Sequence, residues 1–251
     1  FRKFLLFFTL ISTYSFSAIF NVTTNSDSGA GSLRDAITSS NANGDASNSI
    51  EVNQGLSPIV LASPLPIVNK NLSISVNGGG VQVIDGNNLH RPFFFKSGSH
   101  TISNLEIQNG LAQGGNGGTG TFPGGGGAGC GGGLFVYDGV DLSCSNVSFT
   151  NCSAQGGNGG SNTGGLSGGG GGLGGDGGNG GGFAGSGGGG FLGSGGSVPQ
   201  SGDANGGAGG GSFFQGATSL QANPGGGAGG GGTTGSGNSN TGTAGGSGGI
   251  S

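Results

Sequence analysis

Apolar residues in the first half of this chain come in brief runs: Ile50-Glu51-Val52, Ile59-Val60-Leu61, Leu72-Ser73-Ile74-Ser75-Val76, Val81-Gln82-Val83-Ile84 and Phe93-Phe94-Phe95. Each run ends in Asn, Gly, Pro or Ser, is rich in β-branched or aromatic residues, and is separated from the next by no helical periodicity, so each predicts a short strand. Alternation at Leu72, Ile74 and Val76, and again at Ile102, Leu105 and Ile107, places the apolar side chains on one face. One helix is expected: Ser32-Leu33-Arg34-Asp35, followed by Ala36 and Ile37, has the capping-box pattern and should start it at Ser32.

The longest apolar stretch lies at the very beginning. Arg2 and Lys3 precede apolar residues 4–12, and Ser15-Phe16-Ser17 is a small-x-small site, which reads as an export signal over residues 1–17. The stretch is shorter than the roughly 20 residues of a bilayer-spanning helix.

An internal repeat organises the strands. Ser103-Asn104-Leu105-Glu106-Ile107-Gln108-Asn109 aligns with Ser145-Asn146-Val147-Ser148-Phe149-Thr150-Asn151 at an offset of 42 residues. The match continues through Ala112-Gln113-Gly114-Gly115-Asn116-Gly117-Gly118 and its identical copy at Ala154-Gln155-Gly156-Gly157-Asn158-Gly159-Gly160. A strand with one apolar face must be buried by a neighbour, so repeated strands predict a stack of coils around a narrow continuous core. An offset of 42 accommodates one coil with a long loop, or two coils.

Composition divides the chain at the repeat. Of the 71 glycines, 9 lie between residues 18 and 109, and 62 lie in residues 110–251. The glycines begin just after Asn109 and Asn151, as expected of loops extruded from the corners of stacked coils; residues 18–155 are therefore assigned to a cap and first coils, and 156–251 to a glycine-rich region of loops from further coils. Gly-Gly-x triplets in residues 171–182 have the period of extended polyproline-II-type helices. Collagen is excluded, because only Pro123, Pro199 and Pro224 occur after Gly110. Glycine helices packed through backbone hydrogen bonds and disordered coil both remain open, with order expected near the coils and disorder distally.

With Ser28-Gly29-Ala30-Gly31-Ser32-Leu33-Arg34-Asp35-Ala36-Ile37, the repeat and Gly132-Gly133-Leu134-Phe135 in view, residues 20–160 resemble secreted right-handed parallel β-helix proteins of the polymorphic outer-membrane and autotransporter-adhesin type. Those proteins repeat a Gly-Gly-Ala-aliphatic motif and a Phe-x-x-Asn motif. Here Gly131-Gly132-Gly133-Leu134 carries Gly for Ala, and Phe149-Thr150-Asn151-Cys152 carries Cys for the final Asn. The resemblance implies an all-β parallel β-helix, export to the extracellular space or the outer-membrane surface, carriage by a C-terminal membrane anchor outside this sequence, and adhesion to a host-cell or matrix receptor or glycan.

Charge narrows the partners. Removing Arg2 and Lys3 moves the net charge from −4 to −6, and no Lys or Arg follows Lys96, so binding to nucleic-acid phosphates is disfavoured. Cys130, Cys144 and Cys152 fit neither a disulfide framework nor a zinc pattern; one pair could bridge, but they read mainly as small buried apolar residues.

β-helices also host polysaccharide lyases and hydrolases, which need adjacent carboxylates, or a carboxylate-bound Ca²⁺ with a basic residue. The compact candidates are Asp85 with His90 and Arg91, and Asp138 with Asp141. Asp85-Gly86-Asn87-Asn88 and Asp138-Gly139 are both turn sequences, and turn formation accounts for them. Around Asp176, residues 171–179 approach the Gly-Gly-x-Gly-x-Asp Ca²⁺ nonapeptide but place Gly178 where a large apolar residue belongs. Four Asn-x-Ser/Thr acceptor patterns, at Asn21, Asn71, Asn146 and Asn151, are expected by chance in such Asn- and Ser-rich text. No catalytic, cofactor or metal residue is assigned, and a non-catalytic surface adhesin or structural passenger is expected, ahead of a polysaccharide lyase or hydrolase and a glycine-rich wall or matrix protein.

Overall fold

The structure, a computed structural model, describes residues 17–164, 167–181, 186, 188–191 and 193–197. The expected export signal therefore lies almost wholly outside the described residues. The elements in order are β1 (Ser17–Val22), α1 (Leu33–Ala42), β2 (Ser47–Val52), β3 (Ile59–Val60), β4 (Asn71–Val76), β5 (Gln82–Asp85), β6 (Phe93–Phe95), β7 (Ser99–Gln108), β8 (Leu111–Gln113), β9 (Leu134–Val136), β10 (Asp141–Thr150) and β11 (Ser153–Gln155). The architecture is all-β apart from α1 and a 3₁₀ turn at Asn77–Gly79, and its strand pairs are parallel.

Registers show how the chain returns to the same sheet. Ser17 pairs with Ser47, Ser47 with Asn71, Leu72 with His100 and Ser99 with Asp141, successive offsets of 30, 24, 28 and 42 residues. The repeat is one return of the chain, because its two copies are hydrogen-bonded neighbours from Ser99↔Asp141 to Gln108↔Thr150 and again at Leu111↔Ser153. The extra length is the insertion between β8 and β9.

Stacking in register makes files of like residues. Phe20, Ile50, Ile74, Ile102 and Cys144 form one, and Ile59, Ile84, Ile107 and Phe149 another. The Ile members of both are at most 1% exposed. Each strand alone could bury only one flank of these side chains; the file buries both, and burial of apolar area at about 25 cal/mol per Å² drives the stacking. The aromatic strands β6 and β9 make a third pairing, with Phe94 stacked on Phe135 at 5.2 Å.

Corners are set by asparagine. β7 pairs with β4 through its first half and with β5 through its second, and the bend falls at Asn104, whose φ is +58°. Asn tolerates the left-handed region better than other non-glycine residues. The bend explains the spacing of Ile102, Leu105 and Ile107, which breaks strict alternation while all three stay inside. Its copy, Asn146 at φ +52°, donates from Nδ2 to Asn104 Oδ1 at 2.8 Å, and Asn109 and Asn151 repeat the positive φ, at +50° and +52°, at the next corner.

Helix α1 closes one end of the stack, burying Leu33, Ala36 and Ile37. Ser32 is its N-cap and accepts from the Asp35 N–H at 3.1 Å. The reciprocal half of the capping box differs from expectation: the Asp35 carboxylate accepts from the Gly31 N–H, while the Ser32 N–H is already bonded to the Gly29 carbonyl. Arg34 pins the helix by an ion pair to Asp27 at 2.7 Å and bonds to the Ser63 and Pro64 carbonyls. Among the described residues, no helix is long and apolar enough to cross a membrane. At the opposite end β10 has no described neighbour beyond it, and Phe149 is 52% exposed.

Candidate functional site

The glycine-rich segments near the strands are built into two layers. Segments 156–161, 114–120, 174–180 and 193–197 form the first, joined by Gly117 N–H to the Asn158 carbonyl, Gly177 N–H to Asn116 and Gly195 N–H to Asp176, each 2.7 Å. Segments 122–128, 167–172 and 188–190, with Ser186, form the second, joined by Gly171 N–H to the Gly125 carbonyl at 2.8 Å and Gly189 N–H to Gly170 at 2.7 Å. Constant offsets show that the segments of each layer run one way; between layers the direction reverses, as in Gly115 to Gly172 at 2.9 Å and Gly118 to Gly169 at 2.8 Å.

Bonds recur at every third residue, the period of a polyproline-II-type helix, which has no internal hydrogen bonds and must satisfy its peptide groups laterally. Only glycine permits this approach: a Cβ on Gly115 or Gly118 would overlap the backbone of a neighbouring segment. The triplet run at residues 171–182 is not one continuous helix, as its even period suggests. It reverses at Leu173-Gly174, with Gly172 N–H bonded to the Gly175 carbonyl at 2.8 Å, and its two arms lie in different layers.

The first layer presents two rows of small polar side chains: Asn158, Asn116, Asp176 and Ser194, then Ser161, Thr119, Asn179 and Ser197. Asp176 Oδ1 accepts from Asn116 N–H at 2.6 Å, Asn179 Oδ1 from Thr119 N–H at 3.0 Å, and Asn116 Oδ1 from Asn158 N–H at 2.9 Å. Ser194 and Ser197 Oγ receive the N–H groups of Asp176 and Asn179 at 3.3 and 3.0 Å. Asn116, Asp176, Asn179, Ser194 and Ser197 thus each satisfy a peptide N–H of the adjoining segment. The Asn amides and the second Asp176 oxygen have no other described partner, and the rows repeat about every 9 Å along the segments, three residues at roughly 3.1 Å each. Sequence reading missed this face; its trace is a polar residue after each Gly-Gly pair, as in Gly-Gly-Asn, Gly-Gly-Asp and Gly-Gly-Thr.

The carboxylates weighed from sequence are placed separately. Asp85 accepts from Asn87 N–H at 2.7 Å, Gln108 Nε2 at 2.8 Å and Asn109 Nδ2 at 3.1 Å. Burial pushes its pKa up, but those hydrogen bonds outweigh burial and hold it below the ordinary value. Arg91 is turned away from it, donating from Nε to the Gly131 carbonyl and from Nη2 to Cys130, both at 2.8 Å. Asp138 sits in a turn with Gly139 at φ +76°, closed by Val140 N–H on the Tyr137 carbonyl, and Asp141 opens β10. Asp176 serves the layer face. No group of three or more His, Cys, Asp or Glu suited to a metal ion occurs among the described residues.

The cysteines depart from expectation. All are free thiols; Cys144 is exposed and Cys130 and Cys152 are half-buried. Cys144 occupies a core file, but at the uncovered end of the stack.

His100 is 3% exposed, packed 4.6 Å from the Phe95 ring, with Nε2 donating to the Ser97 carbonyl at 3.0 Å and Nδ1 without a partner. Burial lowers its pKa below the ordinary 6.5 by more than the nearby Ser97 and Leu72 carbonyls raise it. The unfolded chain therefore binds the proton more readily, and stability falls as pH drops from about 6.5 through the folded value. Urea midpoints should decrease between pH 7 and pH 5, and His100→Leu should reduce the decrease; Asp27 and Asp85, lowered from 3.8, act below that window.

No family model, curated protein or solved structure matches the chain.

Proposed function

We propose that this protein is a non-catalytic surface adhesin or structural passenger, built as a right-handed parallel β-helix that carries glycine layers on one side and is delivered by its export signal to the extracellular or outer-membrane surface. The observation that carries the reading is the layer face: two ranks of Asn, Asp, Thr and Ser held on a framework in which the peptide groups themselves are bonded. A preorganised array of small donors and acceptors loses little entropy on binding and suits a hydroxyl-rich partner such as a glycan. In-register parallel returns support the β-helix, and the resemblance supports surface delivery.

A lyase or hydrolase has weaker support, because the Asp85 carboxylate is engaged by three donor residues and Arg91 is directed to the Gly131 and Cys130 carbonyls instead of to Asp85. The test is the full chain applied to a panel of polysaccharides and matrix proteins, with soluble products assayed alongside retention. Retention without cleavage is expected, unchanged by D85N or D138N. Turnover that disappears in either variant would overturn the proposal.

A further inference from the structure

Arg91 presents an unresolved charge beside a cleft. Its guanidinium is flanked by Phe94 and Phe135, 5.8 and 5.3 Å from their ring centroids, and spends Nε and Nη2 on the Gly131 and Cys130 carbonyls. Carbonyls and ring faces orient a cation without neutralising it. Among the described residues the ion pair is Arg34 with Asp27, no carboxylate pairs with Arg91, and Nη1 has no acceptor.

The cleft that Arg91 lines has a volume of about 300 Å³, within the range of small-molecule sites. Its apolar walls are chiefly Leu65, Leu89, Phe94, Leu111 and Leu173, contributed by two corners of the strand stack, β6, β8 and the reversal between the glycine layers, and His90 and Gln113 also line it. Leu89 is 64% exposed at the rim, although it is a large apolar residue. A cationic group among aliphatic walls selects an anion with an apolar body. A sugar acid carries more hydroxyls than His90 and Gln113 can pair and would leave the rest facing Leu and Phe, whereas a planar carboxylate matches guanidinium geometry.

We infer that this cleft binds an aliphatic monocarboxylate, with Arg91 receiving the carboxylate and the leucines covering the chain. The site is independent of the layer face, so it can stand or fall without deciding whether the protein is an adhesin.

Calorimetric titration of the full chain with octanoate, octylamine and 1-octanol tests it. Octanoate should bind saturably at one site, at least about tenfold more tightly than either comparison probe, a difference of about 1.4 kcal/mol. Arg91→Met should abolish that preference. Because Arg91 also holds the insertion in place, Leu89→Glu is the second variant: the exposed rim tolerates it, and its charge should repel octanoate while leaving the unfolding midpoint unchanged. Equal affinity for all three probes, absence of saturable octanoate binding, or undiminished octanoate binding in folded Leu89→Glu would each overturn the assignment.

Discussion

Replacing Gly118 with Ala should dismantle the glycine layers while leaving the strand stack folded. The added methyl group would be driven onto the Gly178 carbonyl, with the Gly169 nitrogen 3.1 Å away, so segments of both layers would have to separate. Separation breaks the Gly118 to Gly169 and Gly169 to Gly178 bonds and strands peptide groups in a buried position, at about 1–3 kcal/mol each. Amide hydrogen exchange reads the result: Gly115, Gly118, Gly127 and Gly157 should lose protection by orders of magnitude, while Ile74, Ile102 and Ile107 keep theirs. Gly125→Ala is the matched control. Nothing lies within 4 Å of a Cβ built there, and its φ is not in the left-handed region, so the change should be neutral, or stabilise by up to about 1 kcal/mol through the unfolded chain. Retained protection in Gly118→Ala would refute backbone packing as the basis of the layers.

Ile74→Ala should have the largest effect on the strands. Ile74 is fully buried in the middle of its file, with Ile50 and Ile102 on either side and neither free to collapse into the space because both are fixed by ladder hydrogen bonds. Deletion from such a site costs about 2–5 kcal/mol, equivalent to a melting temperature lower by roughly 5–15 °C for a domain of this size. Ile19→Ala, on the outer surface of β1 and 57% exposed, should change stability by less than about 0.5 kcal/mol. Thermal melts followed by circular dichroism distinguish the two; a comparable loss in both would show that the files do not form the core.

The strand positions were legible because their chemistry is local. Leu72, Ile74 and Val76 alternate, and all three are buried. The helix start at Ser32 was legible from its capping residue. The spacing of Ile102, Leu105 and Ile107 makes sense only once Asn104 takes a positive φ, which composition permits without requiring. A 42-residue offset could not be resolved into one return or two until the register showed the copies as direct neighbours. Least legible were the glycine layers: Asn116 meets Asp176 across 60 residues and Asp176 meets Ser194 across 18, with no side-chain pattern to specify the pairing. Where recognition is between backbones, Gly-Gly-x text records the permission to pack and leaves out the partner. The same gap hid the layer face, and it hid the Arg91 cleft, whose walls come from four distant stretches of chain.

The glycine layers also carry a thermal consequence. Unfolding the strand stack hydrates Ile, Leu and Phe, and apolar exposure raises heat capacity by about 0.45 cal/K/mol per Å², whereas exposed peptide groups lower it by about 0.26. Layers held almost entirely by peptide groups therefore unfold with little or negative heat-capacity change. The stack has a domed stability curve that weakens on cooling below its maximum, but the layers grow steadily more stable as temperature falls. In the cold, the part of this molecule with almost no side chains becomes its firmer half.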